Sequence, residues 1–261
     1  MSMAHRMQNR GRPPDAAARL WLYGRHAVVA ALANRSRKGR RLLQTEPGEA
    51  EAAAHRRGIP VETVERRLLD RRFGTDAVHQ GIALHCDPLP PPDLDAIAAE
   101  PGPGRLLLLD RVNDPRNIGA VLRSAEAFGA RAVIMPAAGA PAETAALAKA
   151  AAGALERVPL VRVVNLARVL EGLKAAGFWF AALDGAADLP LSSLDLTGRI
   201  GLVLGAESGG IRRLVRRACD FEAAIPMHGG AESLNIAVAA GIALYEAHRQ
   251  TYMSDTATEG L

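Results

Sequence analysis

Three short segments concentrate the Gly, Asn, Ser, Glu and Arg residues from which a ligand site could be built. Asn113–Arg123 carries Asn117 and Arg123. Leu204–Gly210 carries Glu207 among Gly205, Gly209 and Gly210. Ile225–Asn235 carries Ser233 and Asn235. Guanidinium, amide, carboxylate and hydroxyl groups can hydrogen-bond a ligand, and glycines let backbone approach it closely. Each segment joins the end of an apolar run to the start of a helical pattern. In an open α/β sheet, ligands bind at the carboxyl ends of the strands, so three such junctions predict one composite site. Each residue also has a plainer reading by itself. Asn117 would cap the helix Ile118–Phe128. Arg123 falls off the apolar stripe of Ile118, Val121, Leu122 and Ala125 and would simply be exposed. Glu207 would be solvated, Ser233 a helix cap, and Asn235 a polar residue of a first turn. The recurrence of such groups at three successive junctions outweighs these readings taken singly.

Familiar alternatives lack their motifs. No strand–helix turn has Gly-x-Gly-x-x-Gly, and no phosphate-binding Gly-x-x-x-x-Gly-Lys-Ser/Thr occurs. Ser208 sits one residue off a Gly-x-Ser-x-Gly nucleophile elbow. The histidines show no metal-ligand spacing, so no metal site is expected. Cys86 and Cys219 stand far apart and read as reduced, buried thiols. No apolar run is long enough to cross a bilayer. Met1–Pro14 is basic and polar with no signal-peptide core, and the expected location is the cytoplasm.

The net charge of +4 is unevenly spread. Met1–Cys86 holds 16 Lys and Arg against 8 Asp and Glu, and the remainder 16 against 20. A basic first third predicts a polyanionic partner.

These residues need a scaffold of alternating elements. Residues 1–19 read as a flexible basic tail, 20–87 as a small α/β domain, and 88–104 as a Pro-rich linker enclosing a short helix near Asp93–Glu100. Residues 105–251 read as a second domain and 252–261 as a frayed tail. In the first domain, helices over 26–33, 50–57 and 65–73 alternate with strands over 41–44, 59–64 and 81–86. The second domain begins with the continuous apolar strand Leu106–Leu109, the mark of a strand covered on both faces. It repeats the alternation into a doubly wound, mainly parallel sheet. Its last helix, Leu234–His248, is apolar almost all round and should pack against the sheet and against a second subunit.

From about Arg105 to Gln250 the chain resembles the SpoU/TrmH branch of the SPOUT RNA methyltransferases. The shared pattern is Asn113-Asp114, Asn117-Ile-Gly-Ala120, Arg123, Gly205-Ala-Glu207, Ile225-Pro-Met227 and Ser233-Leu-Asn235. Position 237 is Ala where many relatives carry Ser. The first domain resembles the RNA-binding domain of the family's large-subunit rRNA guanosine 2′-O-methyltransferases, through Tyr23-Gly-Arg-His-Ala27 and Val78-His-Gln-Gly-Ile82. The resemblance implies methyl transfer from S-adenosyl-L-methionine to the ribose 2′-hydroxyl of a 23S rRNA guanosine, a C-terminal trefoil knot and a homodimer. Methylation of tRNA, or RNA binding without catalysis, are the alternatives. It also implies Arg123 as activator, either base or electrostatic stabiliser, with Asn117, Glu207, Ser233 and Asn235 orienting it and the ribose. Cofactor contacts would come from Leu204, Gly205, Ile225, Met227 and Leu234.

Overall fold

A computed structural model describes residues 19–206, 209–230 and 233–259, with side chains as far as residue 253. The chain builds two sheets. The first has four strands, β1 (Leu20–Tyr23), β2 (Gly39–Gln44), β3 (Val61–Thr63) and β4 (Ile82–Cys86). Their order is β1-β4-β2-β3, with β2 and β3 parallel and the other pairs antiparallel. Helices α1 (Arg25–Ala33) and α2 (Glu49–Arg56) pack on one face. Helix α3 (Arg66–Phe73) covers the other, where Leu43, Leu69 and Ala83 are buried. Strand β1 is absent from the sequence reading. Four residues closed by Gly24 are too few to display a period of two, and only pairing with β4, Leu22 opposite Leu84, makes them a strand.

The second sheet has six strands: β5 (Gly104–Asp110), β6 (Ala130–Pro136), β7 (Leu160–Val163), β8 (Trp179–Leu183), β9 (Arg199–Gly205) and β10 (Phe221–Ala223). The order is β10-β8-β9-β5-β6-β7 and every pairing is parallel. The run Leu106–Leu109 explains the two layers. Leu106 and Leu108 enter the core shared with α4 (Leu94–Ala99), α7 (Leu166–Ala175) and α8 (Arg213–Arg217). Leu107 and Leu109 enter the core shared with α5 (Pro115–Ala127), α6 (Ala145–Ala151) and α9 (Ile236–Glu259). Alternation along one strand thus feeds both faces, as a doubly wound fold requires.

Several local expectations are corrected. Helix α5 begins at Pro115 and is capped by Asp114, whose carboxylate accepts from the Arg116 N–H at 2.8 Å. Asn117 therefore lies inside the first turn and is not the cap. Proline favours the first helical position because its missing N–H has no partner to lose there. At the last helix, the Asn235 carboxamide accepts from the Ala237 N–H at 2.9 Å, so Asn235 and not Ser233 takes the cap. Helix α9 runs on to Glu259, through most of the segment expected to be a frayed tail. The expected helix between the two Pro-rich stretches is present as α4, but Leu94, Ile97 and Ala98 are buried in the core of the parallel sheet. The following turn is clamped as well. Arg131 donates to the carbonyls of Glu100, Pro101, Gly102 and Pro103 at 2.6–3.1 Å. The stretch 93–104 therefore packs with the second sheet, α4 on one face and the following turn at the amino end of β5.

The two sheets meet at a polar seam. Arg37 is fully buried and donates from Nε and Nη2 to Glu156 (3.1 and 2.5 Å to Oε1) and from Nη1 to the Asp87 carbonyl at 3.0 Å. It also pairs with Glu143. Asn34 adds a 2.9 Å bond to Glu156 Oε2. Burial works against the Arg37 charge, but Glu156 and Glu143 more than compensate and raise its pKa.

Candidate active site at the carboxyl edge of the parallel sheet

The first two junctions are neighbours because β5 and β9 pair in register. Asp110 lies opposite Gly205 and Leu109 opposite Leu204. Asp110 is buried and accepts from the Arg212 backbone N–H and from Arg212 Nε, each at 2.8 Å. Parallel pairing brings the strand ends together, and this charge-assisted contact ties the end of β5 to the chain entering α8.

At the end of β9 the chain folds back tightly. Gly210 donates to the Ala206 carbonyl at 2.8 Å. A Cβ on Gly205 would lie 2.1 Å from the Gly210 carbonyl carbon, so only glycine fits there. Glu207, within this turn, lies outside the described residues.

The third junction returns to the first. After β10 the chain is pinned at Ala224, which donates to the Leu189 carbonyl at 2.8 Å and accepts from the Leu191 N–H at 2.7 Å. It then leads to Asn235, whose Nδ2 donates to Asn117 Oδ1 at 3.1 Å across 118 positions of sequence. One amide thus caps α9 and grips α5 at once. The two helices approach closely beyond this point, where Ser124 lies 3.4 Å from the position a Gly241 Cβ would take.

A cavity of about 250 Å³ opens where these loops converge. Leu204, Gly205, Ile225, Met227 and Leu234 all line it, as does Ser233. Apolar side chains from β9 and the third loop therefore stand beside exposed backbone of the Gly205 turn. Such a lining suits a flat heteroaromatic ring whose edge is read by main-chain N–H and C=O groups. Arg123 is not in the lining. It projects to solvent from α5, six residues beyond Asn117 and about 9 Å along the helix axis, with no hydrogen bond or ion pair among the described residues.

Sequence reasoning missed Asp184, Gly185 and Arg216, which also line the cavity. Asp184 pairs with Arg216, and Arg216 reaches Glu222 at 3.2 Å. Asp184 and Gly185 directly follow the apolar strand β8, so the rule that located the other junctions could have found them. Among the described residues no group of three His, Cys, Asp or Glu side chains could hold a metal ion.

Comparison with known proteins identifies the family of both sheets. Residues 104–245 match the SpoU rRNA Methylase family. Residues 21–92 match the RNA 2′-O ribose methyltransferase substrate binding family. The chain is 42% identical over 245 residues to the 23S rRNA (guanosine-2′-O-)-methyltransferase RlmB of Xylella fastidiosa, covering 88% of this chain and 96% of that protein. Among solved structures it is similar to the SpoU methyltransferase AviRb of Streptomyces viridochromogenes in complex with AdoMet. The TM-score is 0.78 at 28% identity, covering 90% of this chain and 91% of that one. An AdoMet-bound rRNA methyltransferase from Sinorhizobium meliloti superposes with a TM-score of 0.77 at 26% identity, covering 88% and 87% of the two chains. With the substrate-binding match over its first sheet and the methylase match over its second, this chain belongs to the SpoU rRNA methylase family.

Proposed function

We propose that this protein is an S-adenosyl-L-methionine-dependent methyltransferase that modifies the ribose 2′-hydroxyl of a guanosine in 23S rRNA. The observation that carries the reading is the Asn235–Asn117 hydrogen bond at 3.1 Å, which joins the third junction to the first beside the cavity. The RlmB relatives, similar over most of both chains, support guanosine and 23S rRNA as the target. The substrate-binding match over residues 21–92 supports RNA recognition by the first sheet. On this reading, residues 20–87 bind RNA and 105–251 carry methyl transfer.

Bound in the cavity, S-adenosyl-L-methionine would supply a methyl group already activated by its sulfonium. Leu204, Ile225 and Leu234 would cover the faces of its adenine, and the backbone at Gly205 and Met227 would meet the edge. The remaining difficulty is a weakly acidic hydroxyl. Arginine is already protonated at neutral pH and cannot accept a proton, so Arg123 acts by stabilising the alkoxide as the hydroxyl proton passes to water. Asn117 and Asn235, each fixing the other, hold the ribose against rotation, and positioning of this kind supplies much of the acceleration. Ser233 and Glu207 complete the set that orients Arg123 and the sugar.

The same reading includes a second copy of the chain. On α9, Val238, Ile242 and Tyr245 recur at helical spacing and are 49%, 40% and 52% exposed, while Ala240, Ala243, Leu244 and Ala247 face the sheet. An apolar stripe on the outer face of a helix already packed on its inner face supports a homodimer. Membership of the SpoU rRNA methylase family supports a C-terminal trefoil knot. No described helix is long and apolar enough to cross a membrane, and rRNA as substrate supports a cytoplasmic location, on free rRNA or an assembling large subunit.

The test is methyl transfer from labelled S-adenosyl-L-methionine to unmodified 23S rRNA and tRNA in parallel, with the 2′-O-methyl sites mapped. One labelled guanosine in 23S rRNA is expected. Label confined to tRNA would overturn the substrate, and binding of cofactor without transfer to any RNA would overturn the activity.

A further inference from the structure

RNA recognised by the first sheet and methylated beside Arg123 must cross from one sheet to the other. A chain of aromatic and cationic groups leads from the first sheet as far as α6, on which α5 packs. Arg72 and Arg41 place their guanidinium carbons 4.8 and 5.7 Å from the Trp21 ring centre. Trp21 lies 5.8 Å from Phe73, and Phe73 lies 5.1 Å from Tyr23. Across the seam, Lys149 on α6 brings Nζ to 6.0 Å from the Tyr23 ring. Helix α6 packs directly on α5 at Gly119, where a Cβ would lie 2.5 Å from the Leu147 carbonyl oxygen. Helix α5 in turn exposes Arg116 and Arg123.

Apart from Arg41, which pairs with Glu62 at 3.5 Å, the charges on this path have no carboxylate partner among the described residues, unlike many other surface arginines. Arg66, Arg67, Arg71 and Arg72 are exposed on α3, and none has an ion pair among the described residues. Lys149, Arg116 and Arg123 also lack one. Elsewhere, Arg40, Arg157 and Arg249 are each paired with a carboxylate. The Trp21 ring attracts the Arg72 guanidinium, which has no hydrogen bond or ion pair among the described residues and so keeps its N–H groups for phosphate oxygens. Alternating cations and rings match an RNA strand, whose phosphates and bases need both.

We propose that the RNA runs from α3, past Trp21, Phe73 and Tyr23, over Lys149 to Arg116 and Arg123. The path rests on the RNA methyltransferase reading above. Its test is the affinity of the full-length protein for an unmodified 23S rRNA transcript, measured by filter binding at several salt concentrations. R72E and K149E, both at exposed positions, should each weaken binding at least tenfold at fixed salt. The neutral variants R72A and K149A should each lower the salt slope by about 0.7–0.9, the loss of one phosphate contact. Binding of S-adenosyl-L-methionine, followed by calorimetry, should be unchanged in all four. R168E, on α7 across the parallel sheet, should bind RNA as the wild type does. Wild-type affinity in R72E and K149E would overturn the path, as would an equal loss in R168E. Failure of the activity reading is seen separately, as a wild type that binds the transcript but transfers no methyl group, and the affinity comparison then still decides the path.

Discussion

Arg37 and Arg123 show two uses of the same side chain. At the seam between the sheets, Arg37 is fully buried, and its hydrogen bonds and ion pairs reach Glu156, Glu143 and the Asp87 carbonyl. At the carboxyl edge of the parallel sheet, Arg123 is exposed and has no such partner among the described residues. A buried charge must be paired because desolvation is costly. An exposed charge needs no partner, so its capacity to stabilise an anion stays available to a substrate. The contrast separates charges that hold the fold together from charges available for chemistry, and it can be tested on both sides.

The largest effect is expected at the seam. Arg37→Leu strands Glu143 and Glu156 in a buried site and should lower stability by about 3–5 kcal/mol, read from the urea midpoint. A loss below 1 kcal/mol would show that the seam charges are already hydrated and would erase the contrast. Next comes Arg123→Ala. It should reduce the rate of methyl transfer by about 10²–10³-fold, leave stability within about 0.5 kcal/mol, and leave cofactor affinity unchanged. Equal loss of cofactor binding would move Arg123 from the transition state to the ground state.

Smaller effects sharpen the same comparison. Asn117→Ala and Asn235→Ala, taken singly and together, should show a coupling energy of about 0.5–1.5 kcal/mol in stability, since each removes the same bond. Strict additivity would argue that the bond contributes nothing in solution. The least effect is chemical. Burial pushes the Cys86 and Cys219 thiols up to about 12. Neither should be alkylated by iodoacetamide at pH 8 in the native protein, and both should react in denaturant, as intact mass would show. Rapid native labelling of Cys86 would mean that the seam opens.

Much of the fold is legible in local patterns. The four leucines of β5 announce a strand covered on both faces, and the Gly, Asn, Ser and Arg residues after the apolar runs mark the junctions. Where the reading failed, the deciding contact was elsewhere in the chain, or a local signal was passed over. Strand β1 exists because β4 lies beside it. Asp114 caps α5 in place of Asn117, and the Asp114-Pro115 pair was the available clue. The stretch 93–104 looks like a linker by composition, yet Arg131 clamps its carbonyls from β6. Asp184 and Arg216, which line the cavity, escaped notice because neither stands in a motif, although Asp184 directly follows the apolar strand β8.

By itself, the sequence determined which polar residues and glycines stand after the apolar runs and which elements present them. Both follow from short-range physics: side-chain alternation in strands, helix capping and the punctuation of glycine and proline. Only the tertiary structure decided that Asn117 meets Asn235, that Gly205 lies opposite Asp110, and that the lone cations of α3 are linked through Tyr23 to Lys149. Those distances depend on strand order, register and the packing of α5 between α6 and α9. They are set by the summed burial of two cores, and no local window of sequence contains that information.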